Sequence, residues 1–172
     1  MDGDRAPAIL ERLAAAGVRA WLDGGWGVDA LLGRETRTHD DLDLLVPLED
    51  VGTLEAALAA IGYAVVHGGP PASFELVDAA GHQVDVHPVR FGAGGEARYR
   101  MESGEDWVFP PGALSGRGEI RKRAVPCLTP ECQLVCHATG YELDAAHRAD
   151  VALLSERFGL AVPRYRGADD PD

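Results

Sequence analysis

Residues 23–46 read DGGWGVDALLGRETRTHDDLDLLV, and this stretch decides the fold. The glycine pair Gly24-Gly25 follows a short apolar run, Val18 to Leu22, that reads as a strand. After it, Val28, Ala30, Leu31 and Leu32 give a short helical pattern over 26–32, closed by Gly33. A strand, a glycine turn and a helix N-terminus in that order present backbone N–H groups to an anion. Alone the layout is weak, because glycine pairs also mark ordinary tight turns. Then come Asp41 and Asp43, spaced one residue apart around the run LDLLV, whose composition suits a buried strand. Alternate strand residues share a face, so Asp41 and Asp43 point one way and Leu42 and Leu44 the other. Two carboxylates on one half-buried face repel each other unless a cation joins them. Hard oxygen ligands in such a pair suit Mg²⁺, with phosphates completing its shell. A strand with an acidic solvent face is the plain alternative.

A second acidic strand shifts the balance. In residues 82–88, HQVDVHP, Val84 and Val86 share one face while Gln83, Asp85 and His87 share the other, with Pro88 as the expected end. Asp85 is thus a third carboxylate placed mid-strand against an apolar reverse side. In a small sheet it can lie beside Asp41 and Asp43. Between Asp41 and the glycine turn, the polar loop RETRTH carries Arg37, aimed at whatever the acids hold, or else solvated or paired with Asp40, and His39.

The whole chain bounds the answer. Its 172 residues suffice for one well-buried core with a small helical appendage. A formal net charge of −12 disfavours nucleic acid and anionic membranes as partners and favours cations. A small cationic molecule fits that field. No apolar run approaches the ~20 residues that span a bilayer. The first residues lack a secretory pattern, so a cytoplasmic protein is expected. Cys127, Cys132 and Cys136, with His137, could be read as a metal cluster, but they lack the paired C-x2-C knuckles of structural zinc sites. Free cysteines of this kind usually pack in cores.

The remaining pattern is that of a mixed α/β body. Helices are expected over 7–16 and 50–61, and strands over 63–66 and 74–77 flanking the Pro/Gly-rich HGGPPAS. Residues 91–118 read as an irregular, glycine-rich segment anchored by Trp107 and Phe109, and residues 118–128 as a late strand. Thr129-Pro130-Glu131 opens a helix over 130–139, followed by another over 142–158. The division expected is a catalytic unit over 1–128, a C-terminal helical segment over 129–163 on the same core, and a fraying tail over 164–172.

Gly24-Gly25-Trp26, Thr36-Arg37-x-His39-x-Asp41-Leu42-Asp43 and Val84-Asp85-Val86-His87 together resemble the nucleotidyltransferase superfamily of DNA polymerase β type. Within it the chain is most similar to the aminoglycoside and lincosamide nucleotidyltransferases. Gly104-Glu105-Asp106-Trp107, Cys127-Leu128-Thr129-Pro130-Glu131 and the HATGYEL run from His137 add to the likeness, which covers about residues 8–160. The resemblance implies a small mixed sheet flanked by helices, and transfer of AMP from ATP to a hydroxyl of a small, cationic antibiotic with release of pyrophosphate. It implies that Asp41, Asp43 and Asp85 hold Mg²⁺, two ions in the family pattern, with Asp85 also able to take the acceptor proton. Gly24, Gly25, Arg37 and His39 would meet the nucleotide, and Glu105, Trp107 and Tyr141 the acceptor. A monomer and a homodimer both fit. Two other readings stay open here: the nucleotidyltransferase half of a toxin–antitoxin pair, or a non-catalytic relative.

Overall fold

The computed structural model describes residue 1, residues 3–139 and residues 144–163. The chain runs α1 (Arg5–Ala15), β1 (Trp21–Leu22), α2 (Gly24–Leu32), β2 (Asp43–Pro47), α3 (Val51–Ala59), β3 (Ala64–Gly68), β4 (Phe74–Val77) and β5 (Gln83–Phe91). It continues through β6 (Ala97–Arg100), β7 (Asp106–Phe109), β8 (Gly116–Ile120), β9 (Arg123–Cys127), α4 (Pro130–Thr139) and α5 (Ala145–Phe158). The strands form a mixed sheet in the order β3-β4-β5-β2-β1-β9-β8, with β6 added to β5 and β7 to β6. β2 pairs with β5 in parallel, after a crossover through α3, β3 and β4, and β1 pairs with β9 in parallel.

Strand alternation gives the sheet two unlike faces. Leu44, Val46, Val84, Val86, Phe74 and Leu76 lie buried with Ile9, Leu10 and Leu13 of α1 and Leu54 and Leu58 of α3. Each such leucine or phenylalanine contributes roughly 1.5–3 kcal/mol by leaving water. The opposite face carries Asp43, Leu45, Asp85, His87 and Val89, and the register continues it through Trp21, Tyr99 and Trp107. Against α2, helices α4 and α5 bury Val28, Leu134, Ala138, Val151 and Leu154. Among the described residues no helix is long and apolar enough to cross a membrane.

Several expectations change. The glycine pair is the first turn of α2 itself, not a turn before it: Asp23 is the N-cap, accepting from Gly24 N–H at 2.8 Å. Gly33, at φ 68°, ends that helix in the left-handed conformation a side chain would resist. Pro88 does not stop its strand, because β5 pairs with β4 over Gln83–Val86 and with β6 from Val89 onward. Pro88 falls between these partners, where a missing N–H breaks no ladder. Residues 91–118 are not irregular but hold the β6–β7 hairpin and most of β8. The single late strand is the β8–β9 hairpin, turned at Arg121 and Lys122, both at positive φ (48° and 65°). Cys127 and Cys132 are buried in the apolar clusters, Cys136 packs against one of them, and burial pushes the Cys127 thiol up to about 11. The second helix is seen as Ala145–Phe158; the start of the expected span, and the tail from residue 164, lie outside the described residues.

Candidate active site

Asp43 and Asp85 are register partners on the parallel strands β2 and β5, so the fold sets two acids side by side. Asp41 lies just before β2 rather than within it. The ladder nonetheless reaches back to it, since Leu42 N–H donates to Gln83 C=O at 3.1 Å and Leu42 C=O accepts from Asp85 N–H at 2.9 Å. One ligand oxygen from each of Asp41, Asp43 and Asp85 falls within 4.8 Å of the others. Among the described residues this is the one group of three or more metal-ligating side chains that converges, and it excludes the cysteines.

The acids are under electrostatic stress. Burial first, then the charges of Asp43 and Asp41, push the Asp85 carboxyl up to about 6, against a hydrogen bond donated by Gln83 Nε2 at 2.8 Å. Burial and then Asp43 also raise Asp41, and the same two causes raise half-buried Asp23. His87 stands over Asp43 with Nε2 at 3.4 Å from Oδ1; burial works against its charge, but Asp43, Asp23 and Asp85 outweigh it and raise its pKa. Three half-buried carboxylates crowded within 4.8 Å of one another, two of them pushed towards their protonated form, are the donor set a hard divalent cation would neutralise, and they fit Mg²⁺ with room for phosphate oxygens.

This fixes a pH dependence. An aspartate raised to about 6 stabilises the fold while protonated, below its unfolded value of 3.8, and loses that contribution as pH rises through 6. Mg²⁺ held by these acids would replace those protons, so its stabilisation should be larger at pH 7.5 than at pH 5. At a hundredfold excess over its Kd, the shift in melting temperature at pH 7.5 is on the order of 5–10 °C. Thermal melts with and without Mg²⁺ at both pH values check it; equal shifts would place the cation elsewhere.

Around the acids the first turn of α2 is pressed close. Gly24, at φ 55°, leaves no room for a Cβ, which would meet the Asp43 carboxylate. A Cβ on Gly25 would meet the His39 ring and the Arg37 guanidinium. His39 points inward, 2% exposed, with Nε2 at 2.6 Å from Asp29 Oδ2 and its ring 4.7 Å from that of Trp26. Asp29 also accepts from Thr36 N–H and Oγ1–H at 3.0 and 2.5 Å, so this buried acid shapes the loop that carries Arg37. Arg37 pairs with Asp150 of α5 at 3.0 Å, not with Asp40.

The residues expected to meet the acceptor are spread out. Trp107 lies across from Tyr99 on the site's face of the sheet, and the Tyr99 ring meets that of His87 edge-on at 5.2 Å. Glu105 is exposed just before β7. Tyr141 lies outside the described residues. Sequence reasoning missed Asp23, Asp29, Tyr99, Gln133 and Asp150. Asp23, immediately before the glycines, carried a readable capping signal; the others are joined to the site only by tertiary contacts.

Comparison with known proteins agrees with the geometry. A mixed sheet with three converging acids beside a glycine-first helix defines a nucleotidyltransferase, and LnuA, a lincosamide adenylyltransferase solved with lincomycin bound, superposes with a TM-score of 0.78 at 28% identity, covering 90% of this chain and 97% of that one. A lincosamide resistance protein of Staphylococcus haemolyticus is 31% identical over 143 residues, 83% of this chain and 88% of that protein. A 2″-aminoglycoside nucleotidyltransferase of Klebsiella pneumoniae is 48% identical over 65 residues, 36% of this chain and 37% of that protein. The structure of ANT(2″)-Ia with adenylyl-2″-tobramycin shares the fold at a TM-score of 0.67 and 24% identity, covering 91% of this chain and 89% of that one. The model of the aminoglycoside-2″-adenylyltransferase family matches residues 7–154, and the chain belongs to that family.

Proposed function

We propose that the protein transfers AMP from Mg·ATP to a hydroxyl of an aminoglycoside or lincosamide antibiotic and releases pyrophosphate. The observation that carries this reading is the in-register pair Asp43–Asp85 with Asp41 beside it, facing the first turn of α2. Nucleotidyl transfer depends mainly on positioning and charge neutralisation, which such a site provides. Mg²⁺ held by Asp41, Asp43 and Asp85 would neutralise phosphate charge and polarise the α-phosphorus for attack.

The chain's own residues account for the rest. Asp85 takes the proton from the acceptor hydroxyl, whose oxygen forms a bond to the α-phosphorus as the bond to the β-phosphate oxygen breaks. The N–H groups of Gly25 and Trp26 in α2's first turn and the Arg37 guanidinium meet the negative charge on the departing pyrophosphate. Gly24 and Gly25 allow that approach because neither places a Cβ there. His39, locked to Asp29, orders the loop that presents Arg37. Trp21, Tyr99 and Trp107 form an aromatic wall along the same sheet face, with Glu105 at its end, against which a sugar-bearing cation can lie.

Pyrophosphate release from Mg·ATP, measured with lincomycin and with tobramycin, tests the proposal and separates the acceptor classes. Acceptor-dependent release with a gain of one AMP in the antibiotic's mass is expected. Mg·ATP binding without release on either acceptor would sink the antibiotic reading.

A further inference from the structure

A ring of buried polar contacts joins the two C-terminal helices to the first turn of α2. On α4, Gln133 Nε2 lies 3.1 Å from Asp23 Oδ1 and 3.0 Å from Gly24 C=O. Both are acceptors, which fixes the amide with its nitrogen inward. The same nitrogen lies 3.0 Å from His137 Nε2; with two N–H bonds for three neighbours it serves the ring only through a shared bond, and only when the imidazole proton is on Nδ1. That Nδ1 faces Asp150 Oδ2 at 3.6 Å, and burial works to keep His137 uncharged. Asp150, on α5, is 1% exposed, and its Oδ2 accepts from Arg37 Nη2 at 3.0 Å. The Arg37 guanidinium in turn occupies the space that a Cβ on Gly25 would need.

A carboxylate this buried is costly without a charged partner, and its position sets where the guanidinium sits. Arg37 stands on a loop, and its side chain is 35% exposed, so without Asp150 little would hold it over the helix end. We infer that Asp150 is a positioning residue for Arg37: from α5 it holds the guanidinium over the first turn of α2 before nucleotide arrives. The inference rests on the reading of Arg37 as a phosphate contact. It makes α5 part of the catalytic apparatus through a single ion pair, with His137 and Gln133 bracing the same turn from α4. Preorganisation of this kind raises affinity by removing the ordering cost of a flexible side chain.

The test is a double-mutant cycle on full-length protein, reading Mg·ATP affinity by calorimetry. Near-UV circular dichroism and melting confirm that each variant is folded. Asp150→Asn is expected to weaken Mg·ATP by about tenfold, Arg37→Ala by at least as much, and the double variant no more than Arg37→Ala alone. Asp150→Glu, which keeps the charge but moves it, should fall between wild type and Asp150→Asn and serves where the Asn variant does not fold. Additive losses, unchanged affinity in Asp150→Asn, or tighter binding would overturn the inference, the last by showing Asp150 to be a competitor for Arg37. Unchanged affinity in Arg37→Ala would overturn the phosphate role of Arg37 and this inference with it, leaving the acidic triad untouched. No Mg·ATP binding by the wild type would overturn the nucleotide reading itself.

Discussion

Asp43→Asn is expected to lower nucleotidyl transfer by a factor on the order of 10²–10³ and, in the same protein, to raise the melting temperature measured without metal. The first effect follows from the place of Asp43 at the centre of the triad. The second follows from its charge, which contributes to the upward shifts of Asp23, Asp41 and Asp85 together. An amide relieves all three repulsions and gives up one long contact with His87, at 3.4 Å. A net gain of about 1 kcal/mol would move the midpoint by roughly 2–4 °C. Opposite signs for activity and stability are the mark of a site held under strain for function. Pyrophosphate release with an accepted antibiotic, and calorimetry in chelator, measure the two. A variant that is inactive and also less stable would make Asp43 a structural residue.

The second large effect is at Gly24, and it comes with an internal control. Gly24→Ala must adopt φ 55°, a strain of roughly 1–2 kcal/mol, and must also displace the Asp43 carboxylate that occupies the site of the new methyl. The backbone cannot yield easily, since Asp23 and Gln133 grip the same turn. The carboxylate therefore swings away from Asp85, and a misplacement of about 1 Å can cost ~10²-fold in rate. Gly33→Ala shares the positive φ, at 68°, but meets nothing within 4 Å. It should lose comparable backbone stability and keep its activity. Melting midpoints and kcat/KM for Mg·ATP on the two variants separate strain from collision. Equal activity losses would mean that the contact with Asp43 is unimportant.

The part of the site written in local pattern was legible. Alternation placed Asp43 and Asp85 opposite the apolar face, and the apolar positions after the glycines marked the helix, though its first turn begins at Gly24 itself. Asp41 was assigned to the strand because period-two spacing does not say where a ladder begins. The β6–β7 hairpin was missed for a physical reason: β6 is four residues long, and two of them are Arg98 and Arg100, so no apolar pattern marks it, and without a partner strand the Trp107-Val108-Phe109 run of β7 reads only as an anchor in a glycine-rich loop. The Asp29–His39 and Arg37–Asp150 pairs left no trace at all. Each joins an acid inside a helix to a loop whose position depends on the finished fold, and in the helical pattern Asp150 reads as one more solvated charge.

The same hairpin has a consequence for how such a molecule can change. It is fastened to the sheet along β5 alone, outside the order of strands that closes the core, yet it supplies Tyr99 and Trp107 to the wall beside the acids. Rewriting it around the buried Ala97 and Phe109, which pack with Leu45 and Val89, alters what rests on that wall while leaving the β2–β5 pairing and the α1–α3 core untouched. The acids are thus anchored in the part of the molecule least free to vary, and on the proposed function the choice of acceptor would hang on an attachment whose wall-facing positions new sequences can replace.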